Sequence, residues 1–128
     1  MIILDASVMI GYLEPSDDHH ARAVQVLLNS ETELWGISPI TLAEVFVGPA
    51  RTGQLAKAEA VIADLGVITV GMDEAQAPSL LAELRATTSL RMPDCCVLLA
   101  AMPEQAVVAT FDARLRAAGE SLGLVVVS

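Results

Sequence analysis

Basic residues are scarce in this sequence. Seven Lys and Arg stand against sixteen Asp and Glu, a formal net charge of −9 at pH 7, and Lys57 is the only lysine. A protein that grips nucleic acid through a basic face shows the opposite balance. Any polyanionic partner must therefore be met by something other than a lysine surface. Long apolar runs are missing too. The longest, Cys95 to Met102, stops at Pro103, well short of the ~18–20 residues of a membrane span. The first ten residues carry Asp5 and no Lys or Arg, which argues against a secretory signal. The only cysteines, Cys95 and Cys96, are adjacent in that apolar run. Helix neighbours point about 100° apart, so the pair reads as reduced core packing in a cytoplasmic protein. No linker, low-complexity stretch or repeat interrupts the chain. What is present is 128 residues, 54% hydrophobic and 18% charged, which excludes intrinsic disorder and predicts a single domain over residues 1–128.

Short β-like segments alternate with longer helical ones. The strand candidates are 1–4, 34–37, 66–70, 106–110 and 123–127. Their interiors are almost wholly apolar, the pattern of parallel strands covered on both faces. Helices are expected over 7–13, 17–28, 39–47, 54–65, 73–85, 93–102 and 113–118. Ser38 reads as an N-cap with Pro39 at the first helical position; Gly66 and Gly119 read as helix stops. Pro78 should delay or kink its helix. The alternation predicts an α/β fold, a three-layer α/β/α sandwich around a mostly parallel five-stranded sheet. Its functional crevice should lie at the carboxyl ends of the strands.

Twelve of the sixteen acids fit loops, helix starts or polar helix faces, and four stand against apolar sequence. Asp5 ends the first strand, where it serves either as an N-cap or as a site residue. Glu44 lies in Leu42-Ala43-Glu44-Val45-Phe46-Val47. Thr41-x-x-Glu44 fits a capping box, but Pro39 places Glu44 beyond the capping turn, where an unpaired buried carboxylate is costly. Asp94 opens an otherwise apolar helix, either as a dipole-favoured first-turn acid or as a site residue. Asp112 closes Val107-Val108-Ala109-Thr110-Phe111 and is, taken singly, an ordinary N-cap.

As a set, the four are expected to share one crevice at the carboxyl edge of the sheet. Each like-charged pair at about 4 Å costs on the order of 4 kcal/mol at an effective dielectric of about 20. Raised pKa values or a hard cation relieve this. Mg²⁺, or Mn²⁺, suits an all-oxygen site and accepts phosphate oxygens. The metal would then present the positive charge to a phosphodiester and activate a water.

These residues resemble a family. Ile2-Ile3-Leu4-Asp5-Ala6-Ser7 looks like the opening strand and Asp-x-Ser of PIN domains. Thr41-Leu42-Ala43-Glu44-Val45 is similar to that family's glutamate helix, and Met92-Pro93-Asp94 and Thr110-Phe111-Asp112 to its third and fourth acidic positions. The short chain and the His19-His20 pair resemble VapC toxins of type II toxin–antitoxin modules. The resemblance implies a Mg²⁺-dependent endoribonuclease, a homodimer, and a cognate antitoxin, small and DNA-binding, that blocks the site. It places Asp5, Glu44, Asp94 and Asp112 at the metal-holding catalytic positions. Ser7 and Thr110 match hydroxyl positions that assist the metal and phosphate shell.

Two other functions compete: a non-catalytic PIN-like interaction module and a phospho-acceptor receiver domain. A receiver would need a second acid beside Asp5 and a lysine late in the chain, and Lys57 is mid-helix. His19-His20 reads as a surface helix start, because adjacent histidines on a helix diverge. Trp35 reads as packing. Surplus apolar residues on the first two helices (Val8, Met9, Ile10 and Tyr12; Val24, Val26, Leu27 and Leu28) point to a dimer or antitoxin interface.

Overall fold

The computed structural model describes residues 1–128. Five strands form one sheet: β1 (Ile2–Leu4), β2 (Trp35–Ile37), β3 (Ile68–Thr69), β4 (Val107–Ala109) and β5 (Val126–Val127). Their order is β3-β2-β1-β4-β5, and every neighbouring pair runs parallel. All five expected strands are present. Each is shorter than its apolar segment, although single backbone bonds such as Val70 N–H to Ile37 and Thr110 N–H to Val127 carry the pairing past the strand ends; β2 meets β3 at Gly36–Ile68 and Ile37–Thr69. The order also differs from the 2-1-3-4-5 arrangement of receiver-like sheets, which removes that alternative.

Side-chain alternation along β1 builds the layers. Ile3 and Val108 face a core shared with α5 (Ala77–Thr87), α6 (Met92–Ala101) and α7 (Ala113–Ser121), through residues such as Leu84, Leu98 and Leu115. Ile2, Leu4, Ile37 and Ala109 face the opposite core. That core draws on Val8 of α1 (Ala6–Leu13), Leu27 of α2 (His20–Asn29), Val45 of α3 (Pro39–Arg51) and Ile62 of α4 (Leu55–Asp64). The three-layer sandwich is therefore the observed fold. Helix α6 is the most enclosed: Cys95 to Leu99 are all buried, with both cysteines free. Burying one such Leu side chain is worth about 1.5–3 kcal/mol.

Several boundaries differ from expectation for local reasons. Asp17 and Asp18 precede α2, and Asp17 Oδ1 instead accepts the His19 N–H at 2.8 Å in a turn. Helix α5 begins four residues late. Asp73 turns the chain through its bond from Ala75 N–H (3.0 Å), and Pro78 then occupies the first turn, where its missing N–H is harmless. Helix α7 runs through Gly119 rather than stopping there. A Cβ at Gly119 would stand 3.1 Å from Val126, so this glycine serves close packing onto β5, and the turn residue is Gly123 with φ +81°. The expected apolar surplus is also smaller. Val8, Met9, Val26 and Leu27 belong to the core, which leaves Leu28 exposed on α2; Leu34 and Val125, beside strand starts, are more exposed still.

The chain leaves β1 for β2 on one side, while β4 flanks β1 on the other. That makes the carboxyl ends of β1 and β4 the switch point of the sheet, where a crevice opens.

Candidate active site

Asp5 extends β1 by one residue. Its N–H donates to the Ala109 carbonyl at 3.0 Å, and its own carbonyl accepts from the Val8 and Met9 N–H groups at 3.2 and 3.3 Å. The backbone of Asp5 thus starts α1, but its carboxylate makes no capping bond. Oδ2 instead accepts from Ser7 Oγ and Thr110 Oγ1, both at 2.7 Å. Each hydroxyl is itself oriented from behind: Phe111 N–H donates to Ser7 Oγ and Asp112 N–H to Thr110 Oγ1, both at 3.0 Å. A hydroxyl has one proton to give. Both protons are committed to Asp5, so these side chains aim the aspartate rather than donate to a ligand. The clamp ties the end of β1 to the end of β4 and leaves Asp5 Oδ1 without a hydrogen bond.

Asp112 behaves as a helix cap. Its Oδ1 accepts from the Arg114 and Leu115 N–H groups at 2.8 and 2.9 Å, so the ordinary reading accounts for one carboxylate oxygen and the other stays free. Glu44 is no capping-box residue. Ser38 is the N-cap, Pro39 comes first, and Thr41 Oγ1 is buried without a partner, as is Ser38 Oγ. Helix α3 packs against α6, which sets Glu44 beside the start of the helix carrying Asp94. Arg91 Nε lies 4.0 Å from Asp94 Oδ2.

The electrostatics tie the acids together. Glu44 is held above the ordinary carboxylate pKa first by burial, then by the charges of Asp5 and Asp94, with Arg91 opposing. Asp94 is raised first by burial and then by Asp5; Arg91 opposes, and Asp112 adds to the rise. The four acids therefore form one field. No three acid, His or Cys side chains are drawn close enough to ligate a single ion directly. Asp94 and Asp112 also wall a cleft of about 470 Å³ with Arg91 and Arg114.

The other residues singled out in the sequence have structural partners. His20 Nδ1 is bonded to the Gly11 carbonyl oxygen at 2.8 Å, and His19 stacks on Phe111 with ring centroids 4.8 Å apart. Trp35 Nε1 donates to Ser30 Oγ at 3.0 Å. Sequence reasoning missed Phe111, which also carries the Arg22 guanidinium 4.8 Å from its ring centroid. It also left Arg91 among undifferentiated bases; its position three residues before Asp94, at a helix start, was the available signal.

Comparison with known proteins agrees with this frame. The chain belongs to the PIN domain family, whose model matches residues 2–121. Its fold is shared with VapC20 of Mycobacterium tuberculosis, a sarcin–ricin-loop-cleaving toxin (TM-score 0.77, 18% identity, 93% of this chain and 95% of that one). It is likewise shared with a toxin–antitoxin complex from Klebsiella pneumoniae (TM-score 0.77, 22% identity, 100% and 97%). FitAcB of Neisseria gonorrhoeae is similar to the same degree (TM-score 0.75, 23% identity, 100% and 97%). No curated protein sequence matches the chain.

Proposed function

We propose that this chain is a metal-dependent endoribonuclease, the toxin of a toxin–antitoxin module, acting on RNA phosphodiester bonds from the Asp5–Glu44–Asp94–Asp112 crevice. One observation carries the reading: acids from four separate elements lie near enough to act on one another electrostatically, and Glu44 and Asp94 have raised pKa values from burial and then from neighbouring acids. Such a field favours a cation. The donors are all hard oxygens, which fits Mg²⁺ or Mn²⁺ rather than a softer metal. Mg²⁺ keeps several waters and needs only one or two direct carboxylates, which accords with the absence of a tight three-donor group. Asp5 and Asp94 would hold it, with Glu44 and Asp112 acting at longer range. When bound, the ion supplies positive charge to the phosphate and lowers the pKa of a coordinated water.

The remaining work belongs to the chain. Ser7 and Thr110 fix the Asp5 carboxylate so that it need not reorganise during reaction. Glu44, raised in pKa by burial and its neighbours, would accept a proton from an attacking water. The Asp112 carboxylate is held by the α7 N–H groups with one oxygen free to orient that water.

The structural relatives support a reading of the partners. FitAB is bound to an IR36 DNA fragment, and VapBC2 of Rickettsia felis is bound to DNA from its promoter. By analogy this chain would take a small DNA-binding antitoxin, act as a homodimer and work in the cytoplasm as a single domain. A non-catalytic interaction module is the second reading, favoured by the lack of a preformed ligand group. Incubation with structured RNA decides between them: cleavage that needs Mg²⁺, stops in EDTA and is absent from Asp5→Asn supports the nuclease. Intact RNA under all these conditions leaves the interaction module.

A further inference from the structure

Two of the seven bases line the acidic cleft: Arg91 and Arg114 share the wall of its 470 Å³ with Asp94 and Asp112. The two on the cleft side are not equivalent to the remaining arginine of α7. Arg116 is engaged, with Nη1 donating to Glu120 at 3.1 Å and to the Val126 carbonyl at 3.3 Å, and Nη2 donating to Ser128 Oγ at 2.6 Å. Arg114 is exposed and its guanidinium has no partner within the chain. Arg91 is 80% exposed in its side chain and touches only Asp94, at the 4.0 Å limit of an ion pair. Such a contact is worth little in water, so it leaves the guanidinium available.

The cleft is mostly polar and adjoins, through Ser89 and Arg114, a second and more apolar groove of about 570 Å³ that Leu90, Ala117, Ala118 and Leu122 border along with Thr87, Thr88 and Ser121. Neither groove has an aromatic wall. A base would find no stacking surface there, whereas a backbone phosphate would find guanidinium donors and hydroxyls.

We infer that the cleft between the starts of α6 and α7 is the track along which the RNA backbone leaves the cutting point, with Arg91 and Arg114 as its phosphate-binding side chains. This rests on the ribonuclease reading of the same crevice and names the residues that let so acidic a chain hold RNA. The contacts are independent of base identity. They act beside the acids, so Arg91 also offsets the charge of Glu44 and Asp94 when the crevice is empty.

The test is binding, read without turnover. A fluorescently labelled single-stranded RNA is titrated by anisotropy with Ca²⁺ replacing Mg²⁺, across a series of salt concentrations, for wild type, Arg91→Ala, Arg114→Ala and the double variant. Arg51→Ala, on the last residue of α3, is the control. Expected is weaker binding for both cleft variants, equal for RNAs of different sequence. The slope of log affinity against log salt should fall by about 0.7 per arginine removed, with Arg51→Ala unchanged. Slopes unaltered in the double variant overturn the track. If Asp5→Asn still abolishes cleavage in that case, the nuclease reading survives alone. Should the wild type neither bind nor cleave RNA, both fall. If the arginines matter for binding an oligoglutamate peptide and not RNA, the cleft is a protein-docking site and the inference is wrong.

Discussion

On the strand side of the crevice, Asp5 is held by two hydroxyl donors at 2.7 Å, each braced by a backbone N–H. On the helix side, Glu44 has no hydrogen bond and Asp94 leans on Arg91 alone. The difference separates two physical jobs. A carboxylate that accepts good donors has its charge compensated and its position set. Carboxylates packed near it with fewer donors are raised in pKa, first by burial and then by neighbouring charge. The strand side is built for aim, and the helix side is left with acids whose charge protonation, Arg91 or a cation would relieve.

The largest effect expected from breaking this arrangement is on activity. Asp5→Asn, Glu44→Gln and Asp94→Asn should each lower Mg²⁺-dependent RNA cleavage by about two to three orders of magnitude, the scale of losing one preorganised electrostatic partner, with the fold retained by circular dichroism. Asp112→Asn should be milder, since an amide oxygen can still cap α7 and orient water. Full cleavage by Asp94→Asn would remove the helix side from the site.

Metal addition sharpens the same contrast. If the crevice binds Mg²⁺ in the folded state only, a free concentration one hundred times Kd stabilises the protein by about 2.7 kcal/mol. Calorimetric melts of wild type should shift upward by several degrees, and Asp94→Asn should respond less. A wild-type melt indifferent to Mg²⁺ argues against the cation site.

Two threonines, both fully buried, test the clamp itself. Thr110→Val removes a hydrogen bond to a carboxylate and strands the Asp112 N–H, so a loss of about 1.5–3 kcal/mol is expected in urea melts. The hydroxyl of Thr41 has no partner in the chain, and Thr41→Val should be neutral or slightly stabilising. Equal losses at the two positions would mean that the clamp contributes nothing beyond packing.

This contrast also marks what could be read in advance. The parallel sheet and the four acids were legible because apolar runs leave few places for a carboxylate, so each misplaced one stood out. Boundaries were less legible where a local side-chain bond overrode periodicity, as Asp17 and Asp73 do ahead of α2 and α5. Gly119 carried the composition of a stop, and its real role depends on β5 lying against it. The assignment of Ser7 and Thr110 came from family resemblance alone. That their protons go to Asp5 depends on the β1–β4 register, Leu4 opposite Ala109, which no local pattern reports. Arg91 and Arg114 were invisible as a pair, since only the fold brings the starts of α6 and α7 to one cleft.

The smallest expected effect is the pH dependence of stability without metal, and it discriminates most directly between the two sides. Glu44 and Asp94 have folded-state pKa values above their ordinary ones. Between the unfolded values near 4 and those raised values, the folded chain binds more protons than the unfolded chain, so stability declines as pH rises through that window. The contribution is fully present below the unfolded values and gone above the folded ones. Asp94→Asn removes one charge from this field, and it should raise apo stability at pH ~7 while flattening the decline. The opposing expectation comes from helix position. Asp94 is the third residue of α6, and as a simple first-turn acid its loss would lower stability by ~0.3–1 kcal/mol. The upward shift of its pKa favours a rise, because burial and the charge of Asp5 outweigh the Arg91 contact and backbone bond. Thermal melts of wild type and Asp94→Asn at pH ~4 and ~7 in EDTA give the answer. A variant that melts lower than wild type at neutral pH would show that Asp94 serves its helix and not the crevice.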